Sequence, residues 1–144
     1  MSVLYADTSV LVRAYIADEL EHEAHRDLLL AGEQEVVTSE IARIELASAV
    51  QAAVRAGRIR RADVLLRRFD SDCADGGPIA LLALDREVVL QAAYELVLRF
   101  RLRTLDAVHL AVATGDPAIA GDVVLVTRDA DQAAAARTLG LATL

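Results

Sequence analysis

Four acidic residues occupy positions where carboxylates could be brought together: Asp7, Glu45, Asp106 and Asp129. Carboxylates gathered in one crevice are the ligands that hard divalent cations take. Asp7 follows the apolar run Ser2 to Ala6, and Asp129 follows the β-branched run Val123 to Val126; both runs read as strands. An aspartate at such a place also has an ordinary use. It caps the free N–H groups of a following helix and suits the helix dipole, and Asp106 is open to the same reading. Glu45 differs, because it lies inside a helical stretch between Ile44 and Leu46, on or next to an expected core stripe of Ile41, Ile44, Ala47 and Val50. A carboxylate there is costly to bury unless it is paired or bound to a metal, and a solvent-exposed helix edge is its alternative.

The elements that must position these acids alternate. After the first strand, Val10 to Leu30 repeats at helical spacing with a break at Asp18 to Glu21. Val36 and Val37 make a brief second strand, and Thr38-Ser39 is expected to open a long helix that Gly57 ends. Arg60 to Cys73 reads as a helix, Gly76-Gly77-Pro78 as a loop and Ile79 to Leu84 as a third strand. Asp85 then caps a helix running to about Arg101, Leu105 to Ala113 is helical, and a helix after Asp129 leads to a final strand at Leu141 to Leu144. This order predicts an α/β fold: a three-layer α/β/α arrangement around a mostly parallel sheet of four to five strands. Sites in such open sheets form beyond the carboxyl ends of the strands, so Asp7 and Asp129 should face one crevice.

Composition narrows the function classes. A chain of 144 residues that is 55% hydrophobic can bury a sizeable core, and residues 1–144 are expected to form a single domain. Its longest charge-free stretches are about half of the roughly 18 apolar residues a membrane span needs, and no basic segment precedes the first apolar run, so neither membrane insertion nor export is expected. The lone cysteine, Cys73, cannot pair internally, which fits a cytoplasmic chain. All 15 basic residues are arginine; without lysine, a P-loop and any amine chemistry are excluded. A net charge of −7 argues against bulk electrostatic grip on nucleic acid.

Four segments in order resemble the PIN-domain family, and most closely its VapC-type toxins: Tyr5-Ala6-Asp7-Thr8-Ser9-Val10-Leu11-Val12, Thr38-Ser39-Glu40-Ile41-Ala42-Arg43-Ile44-Glu45-Leu46, Leu105-Asp106-Ala107-Val108-His109-Leu110-Ala111, and Val126-Thr127-Arg128-Asp129 with Gly140-Leu141. The resemblance implies a metal-dependent endoribonuclease in which Asp7, Glu45, Asp106 and Asp129 are the catalytic acids that hold Mg²⁺ or Mn²⁺. Asp7 and Asp106 would contact metal most directly, and cleavage would leave a 5′-phosphate and a 3′-hydroxyl. A bound ion lowers the pKa of a coordinated water, orients it for in-line attack and offsets charge on the departing oxygen. The resemblance also implies a cognate VapB-type antitoxin and a homodimer.

Ser9 and Thr127 are supporting candidates through their hydroxyls, as is Thr8, and Asp131 competes with Asp129 as fourth acid. Arg101 and Arg103, just ahead of Asp106, are expected at the crevice rim as RNA-binding residues. Arg55, Arg58, Arg60, Arg61, Arg67 and Arg68 read as a solvated helix surface, as do His22 and His25, whereas His109 reads as packed and hydrogen-bonded. A haloacid-dehalogenase-like phosphatase expects an acid where Ser9 stands, and a receiver domain needs a lysine. The remaining alternative is a weakly catalytic or non-catalytic PIN-like domain that acts by binding a partner.

Overall fold

The computed structural model of the chain describes residues 2–119 and 121–144. Its elements are β1 (Val3–Ala6), α1 (Thr8–Tyr15), α2 (His22–Arg26) continued by a π-helical turn (Asp27–Ala31), β2 (Val36–Ser39), α3 (Ile41–Arg55), α4 (Ala62–Asp72), β3 (Ile79–Leu82), α5 (Arg86–Arg99), α6 (Thr104–Gly115), a 3₁₀ turn (Pro117–Ile119), β4 (Val123–Val126), α7 (Ala130–Thr138) and β5 (Ala142–Thr143). The five strands form one sheet in the order β3-β2-β1-β4-β5, every pairing parallel, as the alternation of strands and helices requires. The chain builds outward from β1 through β2 to β3, then returns to add β4 on the other side of β1. The switch point therefore lies between β1 and β4, where the residues after both strands open into one crevice.

Both faces of the sheet are covered. Leu4, Ala6, Val36, Ile79 and Val126 pack with α1, α3 and α4, while Tyr5, Val37, Val123 and Leu125 pack with α5, α6 and α7. This alternation within short apolar strands follows from the two-residue period of the pleat. Among the described residues no helix is long and apolar enough to cross a membrane.

Three sequence expectations need correction. The core stripe of α3 is Ala42, Leu46, Val50 and Ala53, whereas Ile44 is 72% exposed. A strict three-residue repeat drifts by about 60° per step around a helix of about 100° per residue, so it cannot stay on one face. Ile41 accordingly packs into the opposite core cluster from Val50. Thr38 and Ser39 complete β2 and do not begin α3, the Thr38 hydroxyl donating to Ala6 O at 2.7 Å. His22 and His25 do not share a solvated face: His25 is buried with Nδ1 on Glu21 O at 2.8 Å, and His22 Nδ1 meets Arg13 O at 2.7 Å, because the short α2 folds back on α1.

Gly57 ends α3 as expected. Its φ of +73° permits the left-handed residue in which Gly57 N–H reaches Val54 O at 2.9 Å and Arg58 N–H reaches Ala53 O at 2.9 Å. Arg58 then clamps Asp18 and Glu19, each at 2.7 Å, across the turn after α1.

Candidate active site

A cleft of about 540 Å³ opens at the carboxyl ends of β1 and β4, lined by Asp7, Thr8, Ser9, Val12, Arg13, Glu45, Ala49, Arg103, Asp106, Arg128 and Asp129. The four acids singled out in the sequence come together there from four elements. Asp7 lies at the end of β1 as the N-cap of α1, its Oδ2 accepting from Ser9 N–H at 3.2 Å. Asp129 caps α7 in the same way, accepting from Gln132 N–H at 2.8 Å. Glu45 reaches in from α3, and Asp106 from the first turn of α6. The N-cap of α6 is Arg103, so Asp106 is no cap.

Asp7 is the deepest, with only 3% of its surface exposed. Two further side chains bond to it. The Thr127 hydroxyl is 3.1 Å from its Oδ2 and 2.7 Å from Gln132 Oε1, and the Gln132 amide is 3.4 Å from Asp7 Oδ1 and 3.1 Å from Asp106 O. Thr127 Oγ1 also accepts from Asp129 N–H, and Ser9 Oγ accepts from Arg128 N–H, at 3.1 and 2.9 Å. The two supporting candidates thus tie the ends of β1 and β4 together.

On the other side, Glu45 Oε1 accepts from the Thr8 hydroxyl at 2.9 Å and lies 2.6 Å from His109 Nε2. Asp106 and Asp129 are bridged by Arg103, at 3.0 and 3.4 Å. Burial pushes the Asp106 carboxyl above its ordinary pKa; the Arg103 hydrogen bond pulls the other way, and the charges of Asp7 and Asp129 add to the rise. The four acids of the cleft face three guanidiniums, of which Arg13 and Arg128 also approach Glu21, at 3.4 and 3.6 Å. Among the described residues no three acidic, histidine or cysteine side chains form a ready ligand set as they stand.

Arg103 is at the cleft as expected, whereas Arg101 is exposed and does not line it. Asp131 is exposed on α7 and likewise outside the lining, leaving Asp129 as the acid at β4. Gln132 escaped the sequence reading although it is fully buried between three elements of the site. Its signal was present: an amide three residues after a capping aspartate forms the capping-box spacing, and it stands directly before the alanine run Ala133 to Ala136.

A family profile described as PIN domain matches residues 4–138. Among solved structures the chain is similar to one titled as a toxin-antitoxin complex from Klebsiella pneumoniae, with a TM-score of 0.62 and 17% identity, covering 92% of this chain and 91% of that one. At that identity the likeness is one of fold. No curated protein matches the chain.

Proposed function

The chain belongs to the PIN-domain family, and from that premise we propose that it is a metal-dependent endoribonuclease, the toxin of a VapC-type toxin–antitoxin pair. The observation that carries this reading is the convergence of Asp7, Glu45, Asp106 and Asp129 on one cleft at the switch point of the sheet. Helix capping accounts for Asp7 and Asp129 but gives no reason for Asp106 and Glu45 to face them.

The donor chemistry of the cleft fits Mg²⁺ or Mn²⁺, since it offers carboxylate and hydroxyl oxygens and no thiolate. An ion held by Asp7, Asp106, Glu45 and Asp129 would acidify a coordinated water and offset charge on the departing oxygen of an RNA phosphodiester. Asp7 is preset by Ser9, Thr127 and Gln132, so its carboxylate needs little rearrangement. Arg103 is 81% exposed and can leave the acids to meet a phosphate.

The partner this reading calls for is a VapB-type antitoxin, and the solved chain of like fold carries a toxin–antitoxin title. Self-association is the second expectation. The described apolar side chains left open are concentrated on α5, where Leu90, Tyr94 and Leu98 recur every four residues at 52, 61 and 70% exposure, more than on the helices before Arg60. A cytoplasmic location and a single working domain complete the proposal.

The test is cleavage of mixed RNA by the purified chain with Mg²⁺, with Mn²⁺ and with chelator. Metal-dependent products bearing 5′-phosphates, lost in Asp7→Asn and Asp106→Asn, are expected. Absence of cleavage with either metal, alongside tight binding of the co-encoded partner, would favour the non-catalytic alternative.

A further inference from the structure

We propose that His109 is a positioning residue for Glu45, held in one tautomer by Tyr5, and that this relay reserves Glu45 Oε2 for the cleft. The inference rests on reading Glu45 as an acid of the nuclease cleft.

His109 and Tyr5 are both fully buried. His109 Nδ1 is 2.8 Å from the Tyr5 hydroxyl, while Nε2 is 2.6 Å from Glu45 Oε1 and 3.0 Å from Thr8 Oγ1. The protons can be placed from these partners. A carboxylate only accepts, so the short contact requires the N–H at Nε2. In the Nε2–H tautomer Nδ1 is bare, and the Tyr5 O–H is placed to donate to it. A phenol is protonated near neutral pH, so the Tyr5 O–H is available to make this 2.8 Å bond.

Two donors therefore converge on one oxygen of Glu45, the Thr8 O–H and the His109 N–H. Among the described residues Oε2 has no hydrogen-bond partner, although the side chain lines the cleft and is 19% exposed. An unrestrained glutamate would sample many rotamers; here its one engaged oxygen fixes the direction of the other. The relay also joins the two helix layers past the end of the sheet, since His109 is on α6 and Glu45 on α3. Neither packing nor the Tyr5 ring contact, at 5.8 Å and edge-on, requires an Nε2 donor aimed at the opposite layer.

The relay is tested on the metal-free, RNA-free chain in two ways. Long-range ¹H–¹⁵N correlation spectra of ¹⁵N-histidine-labelled protein report the tautomer directly, and His109 should show a protonated Nε2 and a bare Nδ1. An Nδ1–H tautomer or a doubly protonated ring near neutral pH overturns the proposal. Calorimetric titration with Mn²⁺ then reads the consequence. Loss of an outer partner of a metal ligand typically weakens binding about 10- to 100-fold, so His109→Leu should weaken Mn²⁺ binding by about that factor and His109→Gln should restore most of it. In a Glu45→Gln background, His109→Leu should have no further effect, which a merely structural role would not produce. Equal Mn²⁺ affinity in parent and His109→Leu, or additive losses in the double variant, overturns the relay. A parent chain that binds no Mn²⁺ instead sinks the nuclease reading, and the tautomer alone then decides whether Tyr5 and Glu45 hold His109 as stated.

Discussion

Asp106→Asn removes a charge from the cleft while keeping the shape of the side chain, and the structure sets opposing contributions to the stability of the metal-free chain. The carboxylate has one ionic partner within close hydrogen-bond range, Arg103 at 3.0 Å, and that side chain is 81% exposed. So open an ion pair is worth about 0–1 kcal/mol. Its place in the first turn of α6 adds about 0.3–1 kcal/mol through the helix dipole at low salt. Against these, burial and the charges of Asp7 and Asp129 hold its pKa above the ordinary value, so ionisation opposes folding. An acid whose folded pKa is raised loses stability as pH climbs through that pKa, and asparagine escapes this loss. The variant should therefore gain on the parent toward neutral pH, and that relative gain should vanish once both states of the parent are protonated in acid.

The favourable contributions are each about 1 kcal/mol or less and the burial penalty opposes them, so metal-free Asp106→Asn should lie within about 1 kcal/mol of the parent, a change in Tm of roughly 2–4 °C or less for a chain of this length. Scanning calorimetry with added Mn²⁺ should separate the two proteins. At 100 times Kd the parent should gain about 2.7 kcal/mol by mass action, and Asp106→Asn should lose most of that gain together with cleavage. A metal-free loss of about 3 kcal/mol or more would mean that Asp106 is chiefly a part of the fold, a size characteristic of breaking a buried pair. An undiminished Mn²⁺ gain would remove it from the metal site.

Gln132→Leu should cost about 1–3 kcal/mol in thermal unfolding, because Asp7 Oδ1 and Asp106 O lose their shared amide; unchanged stability would show that water replaces it. Arg103→Ala should tighten Mn²⁺ binding by freeing Asp106 and Asp129, while reducing the salt dependence of RNA binding by about one ion; a filter-binding series that keeps the parental slope would deny it a phosphate contact. The Cys73 thiol is pushed up to about 12, first by burial and then by the charges of Asp72 and Asp70, so its thiolate is scarce near neutrality and grows as pH rises. Alkylation by iodoacetamide at about pH 8 should be at least about tenfold slower than in the urea-unfolded chain, and equal rates would contradict the burial.

Much of the architecture could be read without coordinates because it depends on local pattern. The apolar runs at Val3–Ala6 and Val123–Val126, the capping residues Asp85 and Asp129, and the left-handed stop at Gly57 each signal through neighbours within a few positions. Their alternation then left a parallel sheet as the consistent arrangement, with the ends of β1 and β4 side by side. Asp7, Glu45, Asp106 and Asp129 could be singled out because their segments resemble a family and the first and last follow strands.

What required tertiary structure is how separate elements face one another. The face of α3 turned on a 3.6-residue helix meeting α1 and α4, so Ala42 and Leu46 point inward and Ile44 outward despite the apparent three-residue stripe. His25 and His109 are both fully buried, yet one holds a local carbonyl and the other reaches across 64 positions to Glu45. Gln132 could be seen as a capping-box amide, but not as the group that joins Asp7 to α6. Local periodicity sets which residues can point the same way. Only the packing of one helix layer against the other across the sheet decides which hydrogen-bond partner each meets, since that depends on register and crossing geometry that no single segment contains.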